Sequence, residues 1–355
     1  MPPDVRLMPH KIKAYRSSVP HTKIKRTMKA FVKITATVFI CIAALVPAVI
    51  CARPAGLVPD NTHEIIKDPA FRNGFTLLSP KFSSSGGRII VDTLVFTPKS
   101  AAPAWRMAQW HSRYDLADGK DRYSSMRRKG ENTYNGEYSN KSKCLRRSKG
   151  GTLFLGIDTK PEYDHPRRAD EQWPHLLIEQ DFDNRPNAGK SSCIVFSMAY
   201  RLEYCEKLMT DSEYNEALHT AQSPLYFILR NTNPQSADCN KFIWLGIQTF
   251  DYRYRQTTEH ETISWDAGTN TYIYNIPQRP LWGDIDFHDG KWHRLQADLL
   301  PHIRMCLDKM KEKGFFKDTN LSDLEISGMN FGWEVPGTFR AAASIKDLSL
   351  RTTAR

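Results

Sequence analysis

A histidine and a glutamate stand four residues apart in an apolar stretch, HLLIEQDF, over residues 175–182. Alternate side chains of an extended strand point to the same face, so His175, Leu177 and Glu179 share one face and Gln180 lies on the other. A His and a Glu on one face can transfer protons or bind sugar hydroxyls. His175 and Glu179 are therefore catalytic candidates, with Gln180 as a ligand-binding neighbour. The alternative is an edge strand whose polar face makes ordinary hydrogen bonds.

Two further catalytic candidates, Tyr163 and Arg167, lie just before this stretch in EYDHPRR, residues 162–168. A polysaccharide lyase needs a base, often Tyr or His, and a cation or amide that neutralises a uronate. A glycoside hydrolase needs two opposed carboxylates. Together with His175 and Glu179, these two residues could serve either reaction. Sequence alone does not separate the reactions from simple binding, because the distinction depends on buried groups with shifted pKa values.

A run rich in aromatic residues, PAWRMAQWHSRY over residues 103–114, has the composition of a sugar-binding site. Aromatic rings stack on the apolar face of a pyranose, and Arg106 and Gln109 could bridge its hydroxyls. Trp105 and Trp110 are five residues apart, so on a strand they would face opposite sides, one in the core and one exposed. The alternative is a core tryptophan with ordinary edge residues around it.

Two later segments add candidates of a different kind. Trp333 and Glu334 lie near the end of a β-prone run, where binding loops of a sandwich gather, so they are ligand-binding candidates or a structural corner. Asp284 and Asp286 in WGDIDFHD could bind a structural calcium ion, although a solvated turn explains the same spacing. No Cys and His cluster has metal-site spacing, and no cofactor is expected.

The elements that position these side chains are short β-prone runs separated by Gly, Pro, Asn and Asp from about residue 75 to 350. Regular alternation of strands and helices, a glycine-rich phosphate loop and a 20–50 residue repeat are all absent from the sequence. Helical spacing is clear only over 298–313, with a weaker candidate over 211–221. The pattern predicts an all-β fold, a two-sheet antiparallel sandwich with one or two inserted helices.

One short motif carries a family resemblance. Residues 289–295, DGKWHRL, resemble the DG-x-WH-x-hydrophobic strand motif of laminin-G-like domains, which belong to the concanavalin A-like lectin/glucanase superfamily. In that family Asp-Gly makes a tight turn and the Trp opens a strand into the core. The closing run 342–350 is similar to the last strand of those sandwiches. The resemblance implies a jelly-roll fold and glycan recognition or cleavage, while the helix after the motif departs from it.

The first 52 residues have the composition of a targeting segment. Residues 1–33 hold nine Lys/Arg against one Asp, and an apolar run over 34–52 follows. This is the layout of a signal peptide after a basic extension, or of a membrane anchor, and it predicts export to the periplasm, cell surface or medium. Residues 53–75 would be a lead-in linker and residues 76–355 the β-sandwich domain.

The net charge of +11 is concentrated in two places. Residues 1–33 supply +8 of it, so the body is close to neutral and no nucleic-acid partner is expected. Within the body, the segment 118–150 holds ten bases against four acids. It could clamp an anionic polysaccharide through arginine, or it could be a solvated loop. The five cysteines after residue 53 allow one or two disulfides in an exported chain, or buried free thiols.

These features favour an exported glycan-binding β-sandwich protein acting on polysaccharide or glycoconjugate. One alternative is a polysaccharide lyase or glycoside hydrolase on the same fold. A second is a cell-surface protein-adhesion module, which would show an exposed apolar patch and no sugar-lined groove. Membrane contact would come only through the N-terminal segment. The sugar, its linkage and the oligomeric state are left open.

Overall fold

The computed structural model describes residues 62–96, 100–118, 123–124 and 134–354. The N-terminal extension with its signal or anchor, the lead-in as far as residue 61 and most of the basic run 119–133 lie outside these residues. In the described part, no helix combines the length and apolar character that a bilayer crossing requires. Residues 62–75 pack into the sandwich, where Phe71 is fully buried.

Strands dominate the part of the chain that the structure describes. In chain order they are β1 (His63–Glu64), β2 (Phe75–Leu78), β3 (Ile90–Leu94), β4 (Trp105–Ala108), β5 (Tyr123–Ser124), β6 (Tyr134–Ser139), β7 (Lys143–Ser148), β8 (Leu153–Asp158), β9 (His175–Asp181), β10 (Ser191–Lys207), β11 (Gln222–Asn231), β12 (Phe242–Asp251), β13 (Thr262–Asp266), β14 (Thr271–Ile276), β15 (His293–Asp298), β16 (Leu324–Glu334) and β17 (Phe339–Ala354). Two α-helices interrupt them, α1 (Gln278–Trp282) and α2 (Leu300–Glu312).

The strands form two sheets. The first runs in the order β15-β10-β17-β8-β7-β6-β5, with β1 beside β17, and the second in the order β13-β14-β12-β11-β16-β9-β4-β2-β3. The prediction of an all-β, two-sheet jelly-roll sandwich with one or two inserted helices is thereby confirmed. Two neighbouring pairs, β12–β14 and β2–β4, are parallel, so the sheets are largely rather than wholly antiparallel.

The two helical expectations had different outcomes. The helix expected over 298–313 is α2, whose apolar face buries Ile303, Cys306 and Met310 in the core. The weaker candidate, 211–221, was wrong, because the chain there makes turns instead. The Glu213 carboxylate accepts from the Thr210 backbone N–H and hydroxyl and holds the first of those turns. The short helix α1 was not predicted.

The core lies between the sheets and follows the alternation of the strands. On β10, Ile194, Phe196, Met198, Tyr200 and Leu202 are all buried and point toward the second sheet. The five cysteines of the described residues are free thiols, so of the two alternatives that the sequence left open, disulfides are not formed there. They are Cys144, Cys193, Cys205, Cys239 and Cys306.

The DGKWHRL motif makes the turn that the resemblance implies. Gly290 adopts a left-handed conformation with φ of 68°, and the Asp289 carboxylate accepts from the Lys291 backbone N–H at 2.8 Å. Trp292 departs from the family pattern. Its ring lies between the guanidinium of Arg201 at 4.8 Å and the ammonium of Lys346 at 4.4 Å, which places it against charged side chains rather than in the core.

The described part of the basic segment is built into the first sheet as the hairpin β6–β7. Lys143 is fully buried with its Nζ 3.6 Å from Glu162 Oε1, and burial lowers the pKa of Lys143 to about 8. Arg146 pairs with Glu137 at 2.6 Å, and Arg147 donates to the Ala70 carbonyl at 2.8 Å. These three basic side chains make contacts within the protein. They are therefore not available to bind an anionic polymer, the role that the sequence suggested for this segment.

The Lys143–Glu162 pair ties the hairpin to the loop after β4. The Glu162 carboxylate also accepts from the Ser112 hydroxyl and the Arg113 backbone N–H, each at 2.6 Å, and from the Ser142 hydroxyl. A buried ion pair whose lone pairs are all engaged is costly to break from one side, since the remaining charge stays buried.

Glu162→Ala should therefore lower the free energy of unfolding by about 3–5 kcal/mol, because it strands the Lys143 ammonium in the core. Urea unfolding of the full chain, followed by tryptophan fluorescence, measures this change. Asp211→Ala is the matched control, since it removes an exposed ion pair to Lys207 and should leave the midpoint unchanged. Equal midpoints for the two variants would contradict the structural role of the buried pair.

Candidate functional site

A groove with a volume of about 930 Å³ lies on the face of the second sheet that points away from the core. Six adjacent strands form its floor, namely β9, β16, β11, β12, β14 and β13. On β9 the alternation separates the faces, since Leu176 and Ile178 lie in the core and His175, Leu177 and Glu179 line the groove. His175, Leu177 and Glu179 thus share one face of β9, as the alternation of the sequence predicted.

Cross-strand pairing sets polar residues in a row across the groove floor. In spatial order from β9 to β13, the paired residues are Glu179, Asn330, Tyr226, Gly246, Asn275 and Thr262. Gly246 makes room for its neighbours, because a Cβ at this position would lie 2.0 Å from Asn275 Oδ1 and 2.9 Å from Tyr226 Cε1. A glycine is therefore required where these two side chains meet.

A second row runs parallel to the first and consists of His175, Glu334, Gln222 and Asp251. Gln222 Nε2 donates a hydrogen bond of 3.1 Å to Glu334 Oε2. Burial raises the pKa of the Glu334 carboxyl to about 7, the Gln222 amide opposes this rise, and the negative charge of Asp266 adds to it. At neutral pH a substantial share of Glu334 is therefore protonated.

Asp266 is another carboxylate of the groove lining, and its negative charge acts on Glu334. It lies at the end of β13, where it accepts from the Gly268 backbone N–H at 3.0 Å and from the Thr269 hydroxyl. These bonds fix its position in the turn between β13 and β14. The groove thus brings together one carboxyl whose pKa is raised and one carboxylate held by hydrogen-bond donors, from strands far apart in the sequence.

His175 is buried in the groove wall, and this desolvation lowers the pKa of its imidazole to about 4. The carbonyls of Trp110 and Trp173 act in the opposite direction. The Trp173 ring stacks on the imidazole with centroids 5.8 Å apart, and His111 lies at the same distance on another side. The imidazole is therefore neutral near pH 7 and able to accept a proton or a hydrogen bond.

Aromatic side chains line the groove at both of its ends. Next to β9, Phe82 stacks on Trp110 with ring centroids 4.4 Å apart. At the opposite end, Trp244 is fixed by a 2.9 Å hydrogen bond from its Nε1 to Thr269, and Trp265 on β13 is half exposed. Flat apolar rings of this kind present surfaces on which a sugar ring can stack.

Several buried polar atoms of the groove have no hydrogen-bond partner within the described residues. They are Trp173 Nε1, His175 Nδ1, Glu179 Oε2, Asn275 Oδ1 and Asn330 Oδ1. Glu179 Oε2 does lie 3.3 Å from an Arg88 nitrogen, which supplies charge without hydrogen-bond geometry. Unpaired buried polar groups are rare in folded proteins because each costs roughly 1–3 kcal/mol. Their concentration along one floor indicates a surface made for a polar ligand.

The structure brings four of the sequence candidates to the groove, namely Trp110, His175, Glu179 and Glu334. Arg106 lies at its border, with Nη1 2.9 Å from Asp181 Oδ2 and Nε 3.6 Å from Glu179 Oε2.

The other candidates lie in structural positions. Trp105 and Trp333 are fully buried, and their indole N–H groups donate to the carbonyls of Asp68 and Leu155. Gln109 is buried and donates to the Leu78 carbonyl. Trp105 is thus the core member of its pair. Trp110 lies in the groove lining, but it is only 8% exposed beneath Phe82, so the exposed tryptophan that the spacing predicted is not found.

The remaining three candidates are also engaged by the fold. Gln180 makes two hydrogen bonds to the backbone of Lys67. The Tyr163 hydroxyl donates to the Val335 carbonyl, and burial raises its pKa. Arg167 donates to the Leu218 carbonyl, and its guanidinium lies 4.8 Å from the Trp173 ring centroid. The constellation of Tyr163, Arg167 and His175 that a lyase would need is not assembled in the groove.

Sequence reasoning missed the residues of the far half of the groove, which are Gln222, Tyr226, Trp244, Asp266, Asn275 and Asn330. A local signal existed on β12, where Trp244, Gly246 and Gln248 alternate with apolar core residues. Asp266 sits in a turn-like run and carried no such signal.

Within the described residues, no group of three or more His, Cys, Asp or Glu side chains is arranged to hold a metal ion. Asp284 lies 3.5 Å from Arg279, and Asp286 accepts from the His288 backbone N–H and faces Arg255 at 3.7 Å. Both carboxylates of the suggested calcium site are therefore engaged by protein donors.

No family model and no curated protein matches this sequence. Solved structures do match. A family 12 xyloglucanase from Bacillus licheniformis is 10% identical, with 65% of this chain and 100% of that chain covered and a TM-score of 0.37. The endoglucanase cel12A from Rhodothermus marinus is 9% identical, with 66% and 93% covered and a TM-score of 0.34. A loop-swap mutant of Xyn11A from Necallimastix patriciarum is 11% identical, with 66% and 94% covered and a TM-score of 0.32.

The chain is a two-sheet jelly-roll β-sandwich, which is the fold that the sequence resemblance implied. The two sheets of the chain itself define this fold. A shared fold does not define a substrate or a reaction. What the protein does follows from the groove alone.

Proposed function

We propose that this protein binds a polysaccharide along the groove of the second sheet. One observation carries the proposal, the combination on a single floor of aromatic rings at both ends with unpaired buried polar atoms between them. Rings stack on the apolar faces of sugars, and polar side chains bond the hydroxyls at their edges. A lipid or an apolar peptide would leave the polar row unpaired.

The dimensions of the groove favour a polymer over a single sugar. From β9 to β13 the floor crosses five interstrand spacings, which is about 24 Å along a sheet that curves enough for the charge of Asp266 on β13 to act on His175 on β9. Trp110 stands near one end and Trp265 at the other. A chain of several sugar units spans this distance, whereas one unit would reach only part of the row.

The site of action that we propose is outside the cytoplasm. The support is the basic run followed by the apolar run 34–52, the layout of a signal peptide or anchor. An exported polysaccharide-binding protein would meet its ligand in the envelope or the surroundings of the cell.

A second candidate function is hydrolysis of the bound polymer, favoured by the raised pKa of Glu334 in a groove that also contains the Asp266 carboxylate. The protonated Glu334 carboxyl would donate its proton to the glycosidic oxygen as the bond to the anomeric carbon breaks. Asp266 would stabilise the positive charge that develops on the sugar ring or orient an attacking water. Glycosidases divide these two roles between a pair of carboxyl groups.

Replacing the exposed ring of the groove should weaken binding, because the stacking surface is lost. For Trp265→Ala we expect roughly tenfold weaker retention of the full chain in gels that contain a bound polysaccharide. The panel covers xyloglucan, hydroxyethyl cellulose, polygalacturonate and dextran sulfate. Trp292→Ala is the control, a tryptophan held between cations at the start of the motif strand on the other sheet. Equal losses for both variants would rule out the groove as the binding surface.

If the groove hydrolyses its polymer, Glu334→Gln should lower the rate of reducing-end release by at least about 100-fold, because the proton donor is removed. In the unmodified chain kcat/KM should fall as the pH rises through about 7, since Glu334 donates only while protonated. Glu312→Gln, an exposed change on α2, serves as the control. Release of reducing ends by Glu334→Gln at the unmodified rate would exclude this carboxyl as the acid.

A further inference from the structure

A smaller pocket of about 370 Å³ borders the groove on the same face of the second sheet. Its lining residues are Asp181, Arg185, Ile228, Arg230, Asn240 and Ser327. Asp181 and Ile228 lie two residues beyond Glu179 and Tyr226 of the polar row, on β9 and β11. Two residues along a strand cover about 7 Å, so a group projecting from a polymer in the groove can reach this pocket.

The carboxylates at this border are already paired. Arg106 contacts Asp181 at 2.9 Å, and Arg88 lies 3.3 Å from Glu179 and 4.0 Å from Asp181. These two arginines therefore pair with both acids, although Asp181 also lines the pocket and its charge acts on Arg230.

The pocket's own cations, Arg185 and Arg230, have no such partner. Among the described residues, no carboxylate oxygen lies within 4.0 Å of either guanidinium, although Glu325 is opposite Arg230 in the strand register. Both guanidinium groups line the same pocket, where burial and the charge of Arg185 lower the pKa of Arg230 and the charge of Asp181 acts in the opposite direction. Each is held by one backbone carbonyl, that of Phe182 for Arg185 and that of Asn240 for Arg230.

Holding two like charges near one pocket is unfavourable unless an anion lies between them. A guanidinium has five N–H donors in a planar fork that matches an oxyanion, and each of these arginines commits one of them to a carbonyl. The Phe242 ring lies 4.9 Å from the Arg230 guanidinium and fixes its orientation. The Asn240 and Ser327 side chains add polar groups to the pocket wall.

We propose that Arg185 and Arg230 bind an oxyanion, a carboxylate or a sulfate, carried by a sugar of the polysaccharide in the groove. The inference rests on the proposed function and narrows it, since it makes the ligand an acidic polysaccharide. The pocket binds only the charged group of the sugar, while the polar row of the groove floor binds the hydroxyls.

The test compares polymers that share a backbone and differ in charge. Polygalacturonate and its methyl ester form the carboxylate pair, and dextran sulfate and dextran form the sulfate pair. The full chain should bind the charged member of one pair at least about tenfold more tightly than the neutral member, the gain expected from charge-assisted hydrogen bonds. Raising the NaCl concentration should weaken that preference, because salt screens exposed charges. Which pair shows it identifies the oxyanion.

Two variants test whether the preference for the charged polymer arises in this pocket. Arg185→Gln removes an exposed guanidinium with little demand on packing, and Arg230→Gln removes its partly buried neighbour. Each should reduce binding of the charged polymer about tenfold and leave binding of its neutral partner unchanged. Arg294→Gln, an exposed arginine of β15 on the other sheet, is the matched control and should retain the preference.

The outcomes separate the two claims. Equal binding of charged and neutral members by the unmodified chain would overturn the oxyanion pocket and leave polysaccharide binding in place. A preference that survives in both pocket variants would place the recognition elsewhere and overturn it too. Binding of no polymer in the panel would overturn the proposed function and this inference together.

Discussion

The candidate site depends on the register in which six strands of the second sheet pair. That register sets Glu179, Asn330, Tyr226 and Asn275 in one line across β9, β16, β11, β12 and β14. A slip of one residue would turn each of these side chains toward the core and bring apolar residues to the surface. The apolar partners of the alternation, such as Ile178 and Phe331, are buried against the first sheet and hold the register in place.

The apolar packing between the two sheets also offsets the unfavourable free energy of the unpaired polar groups on the groove floor. Unpaired buried groups on one face of a sheet are tolerated when the opposite face buries a large apolar core. Here that core includes fully buried rings such as Phe227 and Trp333. The rigid sandwich thus keeps the groove open with its polar atoms ready for a ligand, and the loops at its ends add the aromatic rings. The border pocket extends this surface with two arginines that lack a carboxylate.

The sequence allowed predictions about which face of a single strand a side chain occupies. Alternation along a strand placed His175 and Glu179 on one face, and the spacing of Trp105 and Trp110 placed them on opposite faces. The same reasoning applied to β16 would have placed Trp333 in the core, because it is in phase with Phe331. Asp266 and Glu334 are different, since 68 positions separate them and only the strand order brings them to one groove. A single sequence does not encode that order in any readable pattern.

The most direct test of the groove is hydrogen–deuterium exchange of the full chain with and without a saturating polysaccharide from the binding panel. Binding along the groove predicts slower exchange in the segments that border it, 251–258 and 262–269, and unchanged exchange over the motif strand 289–297 and β10 on the other sheet. Protection confined to the first sheet, or saturation without any protection in the two groove segments, would contradict the placement of the ligand on this face.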